Sequence, residues 1–128
     1  MDEAEMKRRT KTFAIRCMKL ADSLPTTTSG RTVAGQLVRC GTSVGANYRS
    51  ACRGRSGAEF VSKLGIVEEE ADESQFWMEL IAESGMKSER LVRALHQEAD
   101  EIVRMVVSSI RTARSKIRNP QSKIPNRG

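Results

Sequence analysis

From Phe60 to Ile81 the chain keeps one spacing. Phe60, Leu64, Val67, Ala71, Ser74, Met78 and Ile81 follow one another in alternating steps of four and three. Side chains at those steps share one face of an α-helix and form the seam by which a helix packs in a bundle. The acidic run Glu68-Glu69-Glu70-Ala71-Asp72-Glu73 shares this segment. The stretch just before it, Ser43 to Arg55, is small, polar and basic, and turns at Gly54 to Gly57. A helical hairpin is therefore the unit on which the rest of the chain must pack.

The remaining segments read as helices that can do so. The first covers about residues 4–23, with Met6, Phe13, Cys17, Leu20 and Leu24 on its apolar stripe. Pro25 and the Thr26 to Gly30 run end it, and Ser29 or Gly30 is placed to cap the next helix. That second helix, about residues 31–53, carries Val33, Leu37, Cys40, Val44, Tyr48 and Ala51 on its stripe. Gly35, Gly41 and Gly45 lie within it, each costing roughly 0.5–1 kcal/mol relative to alanine; a neighbouring helix at close approach, or a kink, would account for them. Ser56 and Glu59 form a capping-box pattern for the third helix, about residues 57–84, and Gly85 suits its C′ position. The fourth, about residues 89–117 with Ser88 as cap, has Leu91, Leu95, Ile102, Val106, Ser109 or Ile110, Ala113 and Ile117 on its stripe. Residues 1–118 thus form one domain, and 119–128 a basic tail expected to be disordered.

Aromatic residues make up only 4% of the chain, fewer than a sheet protein usually carries. The fold class is all-α, an up-down-up-down antiparallel four-helix bundle. Further apolar residues (Val61, Ile66, Phe76, Trp77, Leu80, Val92, Val103, Val107) exceed what one seam requires. They fit either a wide core or a second face buried by self-assembly. No apolar run approaches the roughly 20 residues of a membrane span, and the acidic start Met1 to Glu5 has no signal-peptide pattern, so no membrane association and a cytoplasmic location are expected. Cys17, Cys40 and Cys52 are odd in number, without a CxxC pair, and read as buried thiols.

Net charge is +6, unevenly spread. Residues 7–55 hold eleven Lys or Arg against one acid, residues 56–101 four against twelve, and residues 104–128 seven against none. Up-down-up-down packing brings the start of the first helix, the end of the second, the start of the third and the end of the fourth together. Lys7, Arg8, Arg9 and Lys11 would then meet Arg49, Arg53 and Arg55, and Arg111, Arg114, Lys116 and Arg118, with Lys63 a little further along. Such a cluster is a footprint for the phosphates of RNA or DNA. Helix-end cations at C-terminal dipoles explain part of it without a ligand, but Lys7 to Lys11 lie at an N-terminus. Tyr48 and Trp77 sit at core spacing, so no stacking platform is foreseen, and binding would be salt-sensitive with weak sequence preference.

Catalytic patterns are missing. The single histidine, His96, has Arg93 three residues before it, where a di-iron bundle needs Glu. No Ser-His-Asp set, Walker loop or GxGxxG is present. The expectation is a protein that is not an enzyme, with no metal and no cofactor. Aligning the stripes of the hairpin pairs Val44 with Val67 and Cys40 with Ala71, and brings Arg39 near Asp72 or Glu68. Arg39, Asn47, Tyr48, Glu69, Glu70, Glu73 and Trp77 read as structural or interface residues that fix register and assembly.

Thr42-Ser43-Val44-Gly45-Ala46-Asn47-Tyr48-Arg49, then Phe60-Val61-Ser62-Lys63-Leu64, then Glu68 to Glu73 with Phe76-Trp77, with Gln36-Leu37-Val38-Arg39 upstream, carry a family resemblance. Over about residues 6–117 the chain resembles the bacterial four-helix-bundle proteins encoded in intervening sequences of 23S ribosomal RNA genes. That family is similar in fold to the accessory variability determinant of diversity-generating retroelements, a pentamer with a basic surface that binds nucleic acid and a reverse transcriptase. The resemblance implies a homopentamer, RNA or DNA as partner, and a nucleic-acid enzyme as a further partner. It implies no catalytic residue. A protein-interaction scaffold is the alternative reading.

Overall fold

The computed structural model describes residues 2–119. Four helices account for nearly all of them: α1 Glu3–Asp22, α2 Thr28–Cys52, α3 Gly57–Glu83 and α4 Glu89–Arg118. Among the described residues there is no strand. Each helix packs along its length on the next in sequence, so α2 lies diagonal to α4 and α1 diagonal to α3. The bundle closes through α1 and α4, which touch over a far shorter stretch. The expected basic tail falls outside the described residues except for Asn119.

Local chemistry sets the ends. Asp2 caps α1 by accepting the Glu5 N–H at 2.7 Å. Thr27, not Ser29 or Gly30, caps α2, and its hydroxyl accepts the Gly30 N–H at 3.0 Å. The helix therefore starts three residues earlier than the sequence suggests. Gly30 is needed there for space, since a Cβ would lie 2.0 Å from the Pro25 carbonyl oxygen. Ser56 caps α3 as expected, accepting the Glu59 N–H at 3.1 Å, but the Glu59 carboxylate does not complete the box; its stem lies beside Gly54. Gly85 takes φ +81°, and the Gly85 and Met86 N–H groups return to the carbonyls of Ala82 and Ile81, a Schellman ending. Ser88 stands at the α4 cap without a side-chain bond.

The α3 stripe is buried at every expected position from Phe60 to Ile81. It meets Val33, Leu37, Val44 and Tyr48 of α2, Phe13 and Cys17 of α1, and Val92, Leu95, Ile102 and Val106 of α4 in one core. Each large side chain removed from water there contributes roughly 1.5–3 kcal/mol. Two expected core residues are outside it. Leu91 is 67% exposed because the stripe of α4 begins at Val92, and Ile117 is exposed near the end of α4. The buried hydroxyls of Thr10 and Ser74 are satisfied by Met6 and Glu70 carbonyls at 2.9 and 2.8 Å.

The α1–α2 contact is close because α2 presents glycine. A Cβ on Gly41 would lie 2.7 Å from both Cβ and Sγ of Cys17, and one on Gly45 would lie 3.3 Å from the Thr10 backbone. Gly35 differs: nothing stands within 4 Å, so close approach does not explain it. Across α2 and α3, the Ser74 hydroxyl meets Cys40 Sγ at 3.3 Å. This register is one turn from the Cys40–Ala71 pairing that stripe alignment suggests.

Candidate nucleic-acid interface

With Val33, Leu37, Cys40, Val44, Tyr48 and Ala51 facing the core, the opposite face of α2 carries Ala46, Arg49 and Arg53, all exposed. A groove runs along each side of this ridge. The groove toward α1, about 590 Å³, takes Lys7, Arg8 and Lys11 from α1 and Thr42, Gly45, Ala46, Arg49 and Arg53 from the ridge side. The groove toward α3, about 780 Å³, shares Ala46, Arg49 and Arg53 and adds Ser50, Arg55, Glu59 and Lys63. Glycine, alanine, serine and threonine keep the floor low, so the cations stand at its margins.

Among the described residues, Arg8, Lys11, Arg49, Arg53, Arg55 and Lys63 form no ion pair. Lys7 meets Glu3 at 3.2 Å, both of them well exposed. Like charges four apart on a helix, as Arg49 and Arg53 are, cost roughly 0.2–0.5 kcal/mol. Glu59, the one acid on either wall, pairs with none of these cations. The arrangement holds positive charge in the open, where a polyanion can reach it.

The sequence places more residues here than the structure does. Arg9 turns to α4, where its Nη2 and Nε meet the Glu98 carboxylate at 2.6 and 3.0 Å, with Glu101 at 3.4 Å and Met105 Sδ at 3.6 Å. The Glu98 hydrogen bond raises its already high pKa, against the opposing effect of burial. Arg9 is a clasp of the α1–α4 seam, not a groove cation. Arg111 and Arg114 are exposed on α4, diagonal to α2, and line neither groove. Helix ends that coincide along the bundle axis still point to different sides of it. Lys63 is the residue that charge clustering undervalues; it lines the α3-side groove together with Arg49.

Of the residues expected to fix register, Arg39, Glu70, Glu73 and Trp77 bond one another along the α2–α3 flank. The Arg39 guanidinium bridges Glu73 and Glu70, the latter at 3.5 Å, and its Nε donates to Gln36 at 3.0 Å. Glu73 also accepts from Trp77 Nε1 at 3.0 Å, and Trp77 packs edge-to-face on Phe76 at 5.1 Å. Asp72 and Glu68 are not the partners. They share the α3 flank of Gln75 and Glu79, which reach His96 of α4 at 3.4 and 2.9 Å, whereas Glu70, Glu73 and Trp77 form the flank toward α2. Asn47 donates to the Ser43 carbonyl of its own helix at 2.9 Å. Tyr48 is buried in the core, and Glu69 is exposed. Cys17, Cys40 and Cys52 are free and buried; burial pushes the Cys17 thiol up to about 12 and raises the other two. No cluster of three His, Cys, Asp or Glu side chains suited to a metal occurs among the described residues. No described helix is long and apolar enough to cross a membrane.

Fold and surface together define a basic antiparallel four-helix bundle with an open cationic face. Residues 2–108 match the family described as 23S rRNA-intervening sequence protein, and the chain belongs to that family. It is similar to a crystal structure of a protein of unknown function from the S23 ribosomal protein family of Bacteroides thetaiotaomicron. The two share 30% identity and a TM-score of 0.80 over 87% of this chain and 99% of that one. No curated protein matches the chain.

Proposed function

We propose that this protein is a non-enzymatic, cytoplasmic nucleic-acid-binding bundle that engages phosphates through the two grooves flanking Arg49 and Arg53. The observation that carries this reading is the set of six unpaired cations around a floor of small residues. Evolution of a merely soluble surface does not require such charges to converge without carboxylate partners, and their mutual repulsion makes their convergence unfavourable unless a counter-charge arrives. Contacts to phosphate position a protein on nucleic acid without reading its sequence, so the reading entails weak sequence preference.

Assembly into a homopentamer, as the family resemblance implies, would repeat the grooves five times and turn a modest patch into a ring. Support for an assembly face comes from Ile66, Phe76 and Leu80, exposed together on the outer side of α3, with Phe76 51% exposed. The same apolar face favours the alternative reading of a protein-interaction scaffold, with a nucleic-acid enzyme as one partner.

The test is fluorescence anisotropy with labelled RNA and DNA, with mass in solution recorded alongside. Wild type should bind at low salt and weaken steeply as salt rises. Reversing Arg49, Arg53 and Arg55 to Glu should abolish binding while leaving the circular dichroism spectrum unchanged, because all three side chains are exposed. No detectable binding to RNA or DNA at low salt would sink the proposal.

A further inference from the structure

We infer that the ligand of the two grooves is a nucleic-acid double helix and not a single strand, an inference that rests on the nucleic-acid reading above. Single-strand binders combine a basic groove with aromatic side chains on which bases stack, each stacked base contributing about 1–3 kcal/mol. Neither groove has a ring on its walls. The five aromatic residues of the chain are elsewhere. Phe13, Tyr48 and Phe60 are buried in the core. Phe76 and Trp77 pack on each other along α3, roughly 20 Å beyond Lys63 at 1.5 Å per residue. A strand laid in either groove would leave its bases in water. A duplex keeps its bases stacked internally and asks only for phosphate contacts.

The layout of charge fits two rows of phosphates better than one. Lys7, Arg8 and Lys11 stand on the far wall of one groove, Arg55 and Lys63 on the far wall of the other, and α2 runs between them. An α-helix with its side chains is about 10–12 Å across. The major groove of B-form DNA is about 12 Å wide and admits an α-helix. The ridge itself is low at Ala46, so Arg49 and Arg53, one turn apart, can extend past it while each wall faces one backbone. The major groove of an A-form duplex is too narrow for this, and DNA is expected to bind ahead of RNA.

The experiment uses four probes of one sequence, about 20 nucleotides long: single-stranded DNA, single-stranded RNA, DNA duplex and RNA duplex. Anisotropy titrations at two salt concentrations give the dissociation constants. A duplex should bind at least tenfold more tightly than its own strands. Reversing one wall, with Arg55→Glu and Lys63→Glu, should erase that preference while leaving residual single-strand binding, because one groove remains. Strands that bind as tightly as their duplexes, or a double variant that keeps the full preference, would overturn the inference but leave phosphate binding standing. Failure of all four probes to bind would overturn both.

Discussion

Replacing Gly41 with alanine adds a single methyl group, and the geometry dictates where it goes. The new Cβ would meet Cys17 Cβ and Sγ, each at 2.7 Å, where Cys17 is fully buried. Comfortable carbon contacts are about 3.5–4.0 Å. Sγ can rotate away, but Cβ moves only with the α1 backbone, so the α1–α2 seam must open by roughly 1 Å. Overpacking of this kind costs about 1–3 kcal/mol. Against it stands the higher helix propensity of alanine, about 0.8–1.0 kcal/mol. The expected net loss is about 0–2 kcal/mol. Gly35→Ala is the matched control in the same helix: its Cβ meets nothing within 4 Å, so only the propensity gain of about 1 kcal/mol remains. Gly45→Ala, with contacts at 3.3 Å, should fall between them. Guanidinium unfolding followed by circular dichroism at fixed protein concentration reads the series. Thermal midpoints of the two extremes should differ by on the order of 5–10 °C. If Gly41→Ala is as stable as Gly35→Ala, close approach is not what glycine provides there.

Other outcomes follow from the α1–α4 seam and the thiols. A double-mutant cycle of Arg9→Met and Glu98→Gln should show a coupling of about 1–2 kcal/mol, between exposed ion pairs and hydrogen bonds to charged groups; a coupling near zero would remove the clasp. Since the pKa of Arg9 is raised, its contribution is full below the ordinary arginine pKa and stays constant through the working pH range. Cys17 has a folded pKa raised to about 12, so the stability from its neutral thiol is full below about pH 8.5 and declines as pH climbs toward 12. Relative to wild type, Cys17→Ala should flatten the alkaline fall in unfolding free energy, and equal slopes would contradict the assigned burial.

What could be read in advance follows from how local its cause is. The α3 stripe, the Ser56 cap and the Gly85 ending each depend on a few neighbouring residues, and the chain spells them out. The Thr27 cap of α2 is less local, because Ser29, Gly30 and Thr27 are all competent caps and Gly30 lies against the Pro25 carbonyl. Helix count and antiparallel order sufficed to bring Lys7 to Lys11 toward Arg49 to Arg55. They could not give rotation about the bundle axis, which sends Arg9 to Glu98 and keeps Arg111 and Arg114 off the grooves. For the same reason Arg39 finds Glu70 and Glu73, since a stripe alignment fixes height along a helix but not which flank a long side chain reaches.

The thin α1–α4 seam also bears on how the chain reaches this fold. Every extensive interface joins helices adjacent in sequence, and the one interface joining the chain's two ends is short and polar at Arg9 and Glu98. Contacts between near neighbours close small loops and form fast. As the polypeptide leaves the ribosome, α2 can settle on α1, and α3 on α2, before α4 has been made. Closure between α1 and α4 is then the last contact to form, once α4 has packed along α3.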